Sequence, residues 1–128
     1  MFRTTDSRDV HIGTDGWLYD FKSIKDYRKE ACNDEAYVKQ LVLELHALEK
    51  IIQASGRRFF FSIAPSKSTI YPEFVGFVSK GNPCESSLYD LFLKNITVHP
   101  MKSFVRLDEF LKDEKNKGAI LYNKTSTQ

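Results

Sequence analysis

The sequence predicts an α/β layer fold built on a mainly parallel sheet. Three observations point to it. Helix-like and strand-like stretches alternate along the chain, as they do when helices cover a parallel sheet. Residues 59–64, Phe-Phe-Phe-Ser-Ile-Ala, are almost continuously apolar with no clean alternation, as in a strand covered on both faces. The stretch before it carries one apolar stripe at helical spacing, suited to lie on such a sheet.

The elements follow in order. Ile12-Gly13-Thr14-Asp15-Gly16-Trp17-Leu18-Tyr19 reads as a turn followed by a short strand, because Asp15-Gly16 supplies the positive φ of a tight turn. A long helix spans residues 34–55, where Val38, Leu41, Val42, Leu45, Leu48 and Ile52 recur at three- and four-residue steps. Asn33 or Asp34 caps its start, and Gly56 ends it in the left-handed conformation. The Phe-rich strand comes next and stops at Pro65, which cannot continue a ladder. A polar loop runs over 66–73 and a second loop over 76–83. A second helix fits 85–95, with Leu88, Leu91 and Phe92 on one face. Residues 104–107 read as a second strand, and Asp108 caps a short helix over 109–117 that Gly118 ends. Residues 119–122 read as a third strand. In such folds ligands bind beyond the carboxyl ends of the strands, here at 65–73 and 123–128.

With 128 residues the chain has room for one domain. Hydrophobic residues at 41% and charged residues at 28% suit a globular protein and exclude a disordered one. The net charge is only +2 and basic runs are no longer than two residues, such as Arg57-Arg58, which excludes a nucleic-acid footprint. No apolar run approaches the roughly 20 residues of a membrane span. Residues 1–6, Met-Phe-Arg-Thr-Thr-Asp, contain no apolar signal-peptide region, so the chain as it stands is expected in the cytoplasm.

The chemistry-bearing residues are few. Cys32 and Cys84 match no zinc or redox spacing and read as two ordinary thiols, with a disulfide left open in an oxidising compartment. His11, His46 and His99 show no metal-ligand spacing, so no metal and no cofactor are expected. Ser62, Ser66 and Ser68 flank a strand end but lack the G-x-S-x-G frame of a nucleophile elbow. Lys67 is either a contact to an anionic sugar at the binding edge or a solvated loop lysine. Trp17 is either a sugar-stacking platform or a core plug after the turn. Glu85, Asp108 and Glu109 sit near helix starts, where capping and the helix dipole explain them.

Three stretches together resemble the alginate O-acetyltransferase family of the AlgX/AlgJ type. Gly13-Thr14-Asp15-Gly16-Trp17-Leu18-Tyr19 resembles the family's G-x-D-G-W-L-F/Y opening. Residues 61–73, with Ala64-Pro65-Ser66-Lys67-Ser68-Thr69-Ile70-Tyr71-Pro72-Glu73, resemble its apolar strand followed by A-P-D-K-x-T-I-Y-P-E, with Ser66 in place of Asp. Leu121-Tyr122-Asn123-Lys124-Thr125-Ser126-Thr127-Gln128 resembles L-Y-x-K-T-D-T-H-W. The resemblance covers residues 12–128 and only the first part of the family's domain.

It implies an SGNH-hydrolase-like (flavodoxin-like) three-layer sandwich, present here as a single incomplete domain over 1–128 with an open sheet edge. It also implies a periplasmic setting, alginate-type exopolysaccharide as partner, and acetyl transfer by a Ser-His-Asp set in which serine attacks and histidine moves the proton. Carried across, Ser126 occupies the aspartate position and Gln128 the histidine position. Neither supplies a base or a counter-charge near neutral pH, and the family's later G-D-S-like serine segment has no counterpart. Lys67 and Tyr71 remain as substrate-binding candidates. The expected function is therefore that of a truncated, catalytically inactive relative of a polysaccharide O-acetyltransferase. The alternative is a stand-alone binding protein that reuses the first half of the fold.

Overall fold

A computed structural model describes residues 10–30, 35–78, 84 and 86–127. Strand β1 (Val10–Ile12) pairs antiparallel with β2 (Leu18–Asp20), with His11 opposite Tyr19. A 3-10 turn over Thr14–Gly16 joins them, with Asp15 and Gly16 both at positive φ, as the Asp-Gly signal requires. Gly13 is forced by proximity: a Cβ there would overlap the carbonyl oxygen of Phe74. Helix α1 (Phe21–Tyr27) leaves β2 directly. The long helix α2 (Glu35–Ala54) ends at Gly56, whose φ of +77° and amide bond to the Gln53 carbonyl close the last turn. A short helix α3 (Lys67–Ile70) and a 3-10 turn (Pro72–Phe74) follow. Helices α4 (Leu88–Val98) and α5 (Leu107–Asn116) complete the elements.

Two apolar clusters hold these together. In one, Val38 and Val42 of α2 pack on Leu91 and Phe92 of α4, with Phe61, Ile63 and Phe104 against them. Phe92 meets Phe61 and Phe104 edge-on, at 6.4 and 5.3 Å between ring centres. Each such buried side chain contributes roughly 1.5–3 kcal/mol. In the other, Tyr19, Ile24 and Val75 pack with Trp17, Phe74 and Val78. The start of α4 is fixed by a capping box in which Ser87 Oγ accepts from the Asp90 amide and the Asp90 carboxylate accepts from the Ser87 amide.

The predicted fold class is overturned. The described residues are 54% helical and contain a two-stranded antiparallel sheet instead of the parallel sheet of a three-layer sandwich. The Phe-rich segment makes one isolated parallel bridge, Phe61 with Phe104, through Phe61 N–H to the Ser103 carbonyl and Val105 N–H to the Phe61 carbonyl. The physical reason lies in coverage. Phe61 and Ile63 pack on the α2–α4 pair, Phe59 stacks on Phe61, and all three are half-buried, while Phe60, Ser62 and Ala64 are exposed. An apolar run that looked covered on both faces is covered on one. Residues 119–122 form no strand; Ala119 N–H closes the end of α5 on the Glu114 carbonyl instead.

Smaller corrections follow. The expected loop at 66–73 is α3 and its 3-10 turn. The second helix begins at Leu88 behind Ser87 and runs on to Val98. The last helix begins at Leu107, and Asp108 is buried inside its first turn instead of capping it. Cys84 is disulfide-bonded, the alternative the sequence left open beside two ordinary thiols, and the described residues hold no free cysteine. Asn33, Asp34, Cys32, Glu85 and Gln128, with residues 1–6 and 79–83, lie outside the described residues. Among the described residues no helix is long and apolar enough to cross a membrane.

Candidate functional site

The three stretches that carry the family resemblance are far apart in sequence and meet around one side chain, Lys67. It opens α3, and its ammonium points inward, with the residue only 3% exposed. Nζ donates to the carbonyls of Leu18 (2.8 Å), Asn123 (2.5 Å) and Ser126 (2.6 Å), with a longer contact to Lys124 (3.3 Å). Three donors and four acceptors leave no hydrogen for a further ligand. The cation also sits 5.0 Å from the Trp17 ring centre and 5.5 Å from that of Tyr19. It forms no ion pair among the described residues, and burial pushes it below the usual lysine value.

Further bonds tighten the same junction. Leu18 N–H donates to the Lys124 carbonyl, Tyr19 Oη to the Tyr71 carbonyl, Leu121 N–H to Tyr71 Oη, and Tyr122 Oη to the Pro65 carbonyl. Burial above all, and then the negative charge of Glu73, raise the Tyr19 phenol to about 12. Trp17 stacks on Phe74 at 4.6 Å and packs on Tyr71. Lys115 lies 4.4 Å from the Tyr71 ring centre, donates to the Ile70 carbonyl and pairs with Glu73.

The placements of the candidates follow from this. Lys67 and Tyr71 belong to one junction, but both are buried, and the lysine expected at an outward-facing edge is turned inward by the carbonyls of 123–126. Ser126 enters the junction through its backbone oxygen, as an acceptor for Lys67. Trp17 is half-buried against Phe74. Ser66 bonds Ser68 (3.0 Å) and Thr69 (2.9 Å), Ser68 also donates to the Ser23 carbonyl, and Ser62 lies exposed apart from them.

Beside this junction lies an apolar cavity of about 270 Å³ between α2, α4 and residues 63–66, rimmed by Asp26, Ser66 and Thr69. A more polar cavity of about 240 Å³ adjoins it, with Asp26, Thr69 and Tyr89 common to both. Burial raises the Asp26 carboxyl above its ordinary value, while its Oδ1 accepts from the Leu88 amide. None of the serine or threonine hydroxyls here bonds to Asp26 or to an imidazole among the described residues. His11 is held at the Val75 carbonyl and His46 at the His99 carbonyl. A serine without a positioned base is a poor nucleophile. No cluster of His, Cys, Asp and Glu among the described residues could hold a metal ion.

Sequence reasoning passed over one constellation. Asp108, 2% exposed, accepts from Arg106 Nε (2.8 Å) and Nη2 (2.9 Å) and from Tyr89 Oη (2.7 Å). The guanidinium holds the carboxyl at about 2, and burial together with Asp108 raises the Tyr89 phenol to about 12. The Arg106-x-Asp108 spacing was the available signal. No protein family, no curated protein and no solved structure matches this chain.

Proposed function

We propose that these 128 residues form a non-catalytic relative of the polysaccharide O-acetyltransferases, with a polysaccharide as partner. One observation supports the reading best: the three motif stretches on which the resemblance rests are packed together through Lys67, Tyr19, Tyr71 and Tyr122. Independent resemblances have no reason to be neighbours in space. The inactivity follows from the residues themselves. Ser126 brings no carboxylate to the junction, Gln128 brings no base, and the hydroxyls of Ser66 and Ser68 bond to one another and to backbone.

The test is hydrolysis of p-nitrophenyl acetate by the purified chain. The expected outcome is release no faster than in buffer across pH 6–9. Turnover that disappears on replacing Ser62, Ser66 or Ser68 by alanine would overturn the proposal and point to an unrelated hydrolase. The apolar cavity of about 270 Å³ supports a second reading, a stand-alone binding protein for a small apolar ligand.

A further inference from the structure

The apolar cavity of about 270 Å³ and the polar cavity of about 240 Å³ meet at the last turn of α1. Asp26, from that turn, lines both. Among the described residues it is the one charged side chain on the apolar cavity. The walls there come from α2 and α4, with Tyr37, Tyr89 and Phe92 supplying three aromatic rings. Tyr37 is 62% exposed and Leu88 41%, so the fold leaves part of this apolar wall uncovered. A volume of about 270 Å³ exceeds the roughly 150 Å³ of an apolar cavity that takes up a benzene ring.

Helix starts favour carboxylates, and Asp26 Oδ1 accepts from the Leu88 amide at 3.1 Å. That contact accounts for one oxygen and leaves the charge unanswered. Asp26 forms no ion pair among the described residues. Lys29 and Lys112 line the polar cavity without pairing to it, and Arg106 is taken up by Asp108 and Glu109. Burial above all, and the Asp90 carboxylate more weakly, raise the Asp26 carboxyl above its ordinary value, against the Leu88 and Tyr89 amides, which lower it. A half-buried carboxylate beside apolar walls, with no counter-charge, carries a desolvation cost that a bound cation offsets.

We infer that this cavity binds an aromatic primary amine, with its ammonium on the Asp26 carboxylate and its ring between α2 and α4. The ammonium brings donors to a carboxylate that has no cation of its own. The Tyr37, Tyr89 and Phe92 rings match the ligand's ring by stacked or edge-on contact, and the tyrosines also suit a neighbouring cation. The same carboxylate repels an acid, and the apolar walls offer few partners to a ligand rich in hydroxyls. The inference rests on the second reading above, that of a small-ligand site at this cavity, and adds the charge which that ligand carries.

The experiment is titration calorimetry of the chain, near neutral pH, with phenethylamine, phenethyl alcohol and ethylamine. Saturable binding of phenethylamine is expected, at least about tenfold tighter than that of the alcohol, which has its shape without its charge. Ethylamine, which has the charge without the ring, should also bind at least about tenfold more weakly. Asp26→Asn keeps an acceptor for the Leu88 amide and removes the charge. In that variant phenethylamine should fall to the level of the alcohol, while unchanged binding of the alcohol shows that the cavity is still formed. Tyr37→Ala, at an exposed position, should weaken both aromatic ligands about fivefold without lowering the melting temperature. The three-ligand comparison on the parent chain decides even where a variant fails to fold. If neither aromatic ligand binds at millimolar concentration, the inference falls together with the small-ligand reading. If the alcohol binds as tightly as phenethylamine, or Asp26→Asn binds phenethylamine as the parent does, the small-ligand reading stands and the inference is overturned. Ethylamine matching phenethylamine would overturn it as well, since the apolar walls would then contribute nothing.

Discussion

Two buried charges in this chain are stabilised in opposite ways. Asp108 meets a formal counter-charge, accepting two bonds from Arg106 and one from the Tyr89 phenol. Lys67 meets none; four backbone carbonyls from β2 and residues 123–126 surround its ammonium. The first arrangement is local, with Arg106 two residues from its partner. The second ties residues 49 to 59 positions apart in sequence. A charge answered by a charge fixes one helix start. A charge answered by carbonyls acts as a clip for irregular chain, whose backbone groups would otherwise be buried without partners.

The comparison predicts unequal costs. Lys67→Met keeps the apolar stem and removes the donors, leaving four carbonyls to find water or move. It should cost about 3 kcal/mol, read by chemical denaturation. A loss under about 0.5 kcal/mol would mean that the segment stays packed without the clip. Asp108→Asn should cost less, about 2 kcal/mol near neutral pH, because Tyr89 still finds an acceptor and the half-exposed Arg106 rehydrates.

The two charges also respond to pH with opposite windows. Asp108 is held at about 2 when folded against 3.8 otherwise, so its stabilisation is present above about 4 and lost as pH falls through 2. The difference between parent and Asp108→Asn should therefore shrink in that acid window. Lys67 is pushed below 10.5 by burial, so the folded chain releases that proton before the unfolded chain does. Stability therefore rises as pH climbs through the lowered value toward 10.5 and does not change with this group at lower pH, where the ammonium is charged in both states.

What was legible in the sequence was local. The stripe of Val38, Val42 and Leu45 and the stop at Gly56 placed α2 within a residue or two of its observed ends, because both signals are encoded within a few turns. Asp15-Gly16 marked the hairpin turn, although its first strand, Val10–Ile12, went unread for want of a strong alternating pattern. The sheet was misread because a strand exists only with neighbours. Nothing in Phe59-Phe60-Phe61 states how many faces will be covered, and only one is. Lys67 and Tyr71 were singled out by their motif, but their direction depended on where residues 121–126 would lie, a long-range fact that spacing does not carry. Ser87-x-x-Asp90 was a readable capping box that a start placed at 85 passed over.

The central claim is that Lys67 clips residues 121–126 to the hairpin while the Phe-rich segment stays open. Amide hydrogen exchange by NMR on the unmodified chain tests it most directly. The Leu18 and Leu121 amides, which donate to Lys124 O and Tyr71 Oη, should be protected, as should Phe61 on the Ser103 carbonyl. The exposed Phe60 and Ser62, whose amides bond to no backbone carbonyl among the described residues, should exchange near the rate of an unstructured chain. Fast exchange at Leu18 and Leu121 together with slow exchange at Phe60 and Ser62 would contradict the account, placing the stable structure in a sheet around the Phe-rich segment and leaving the Lys67 junction open.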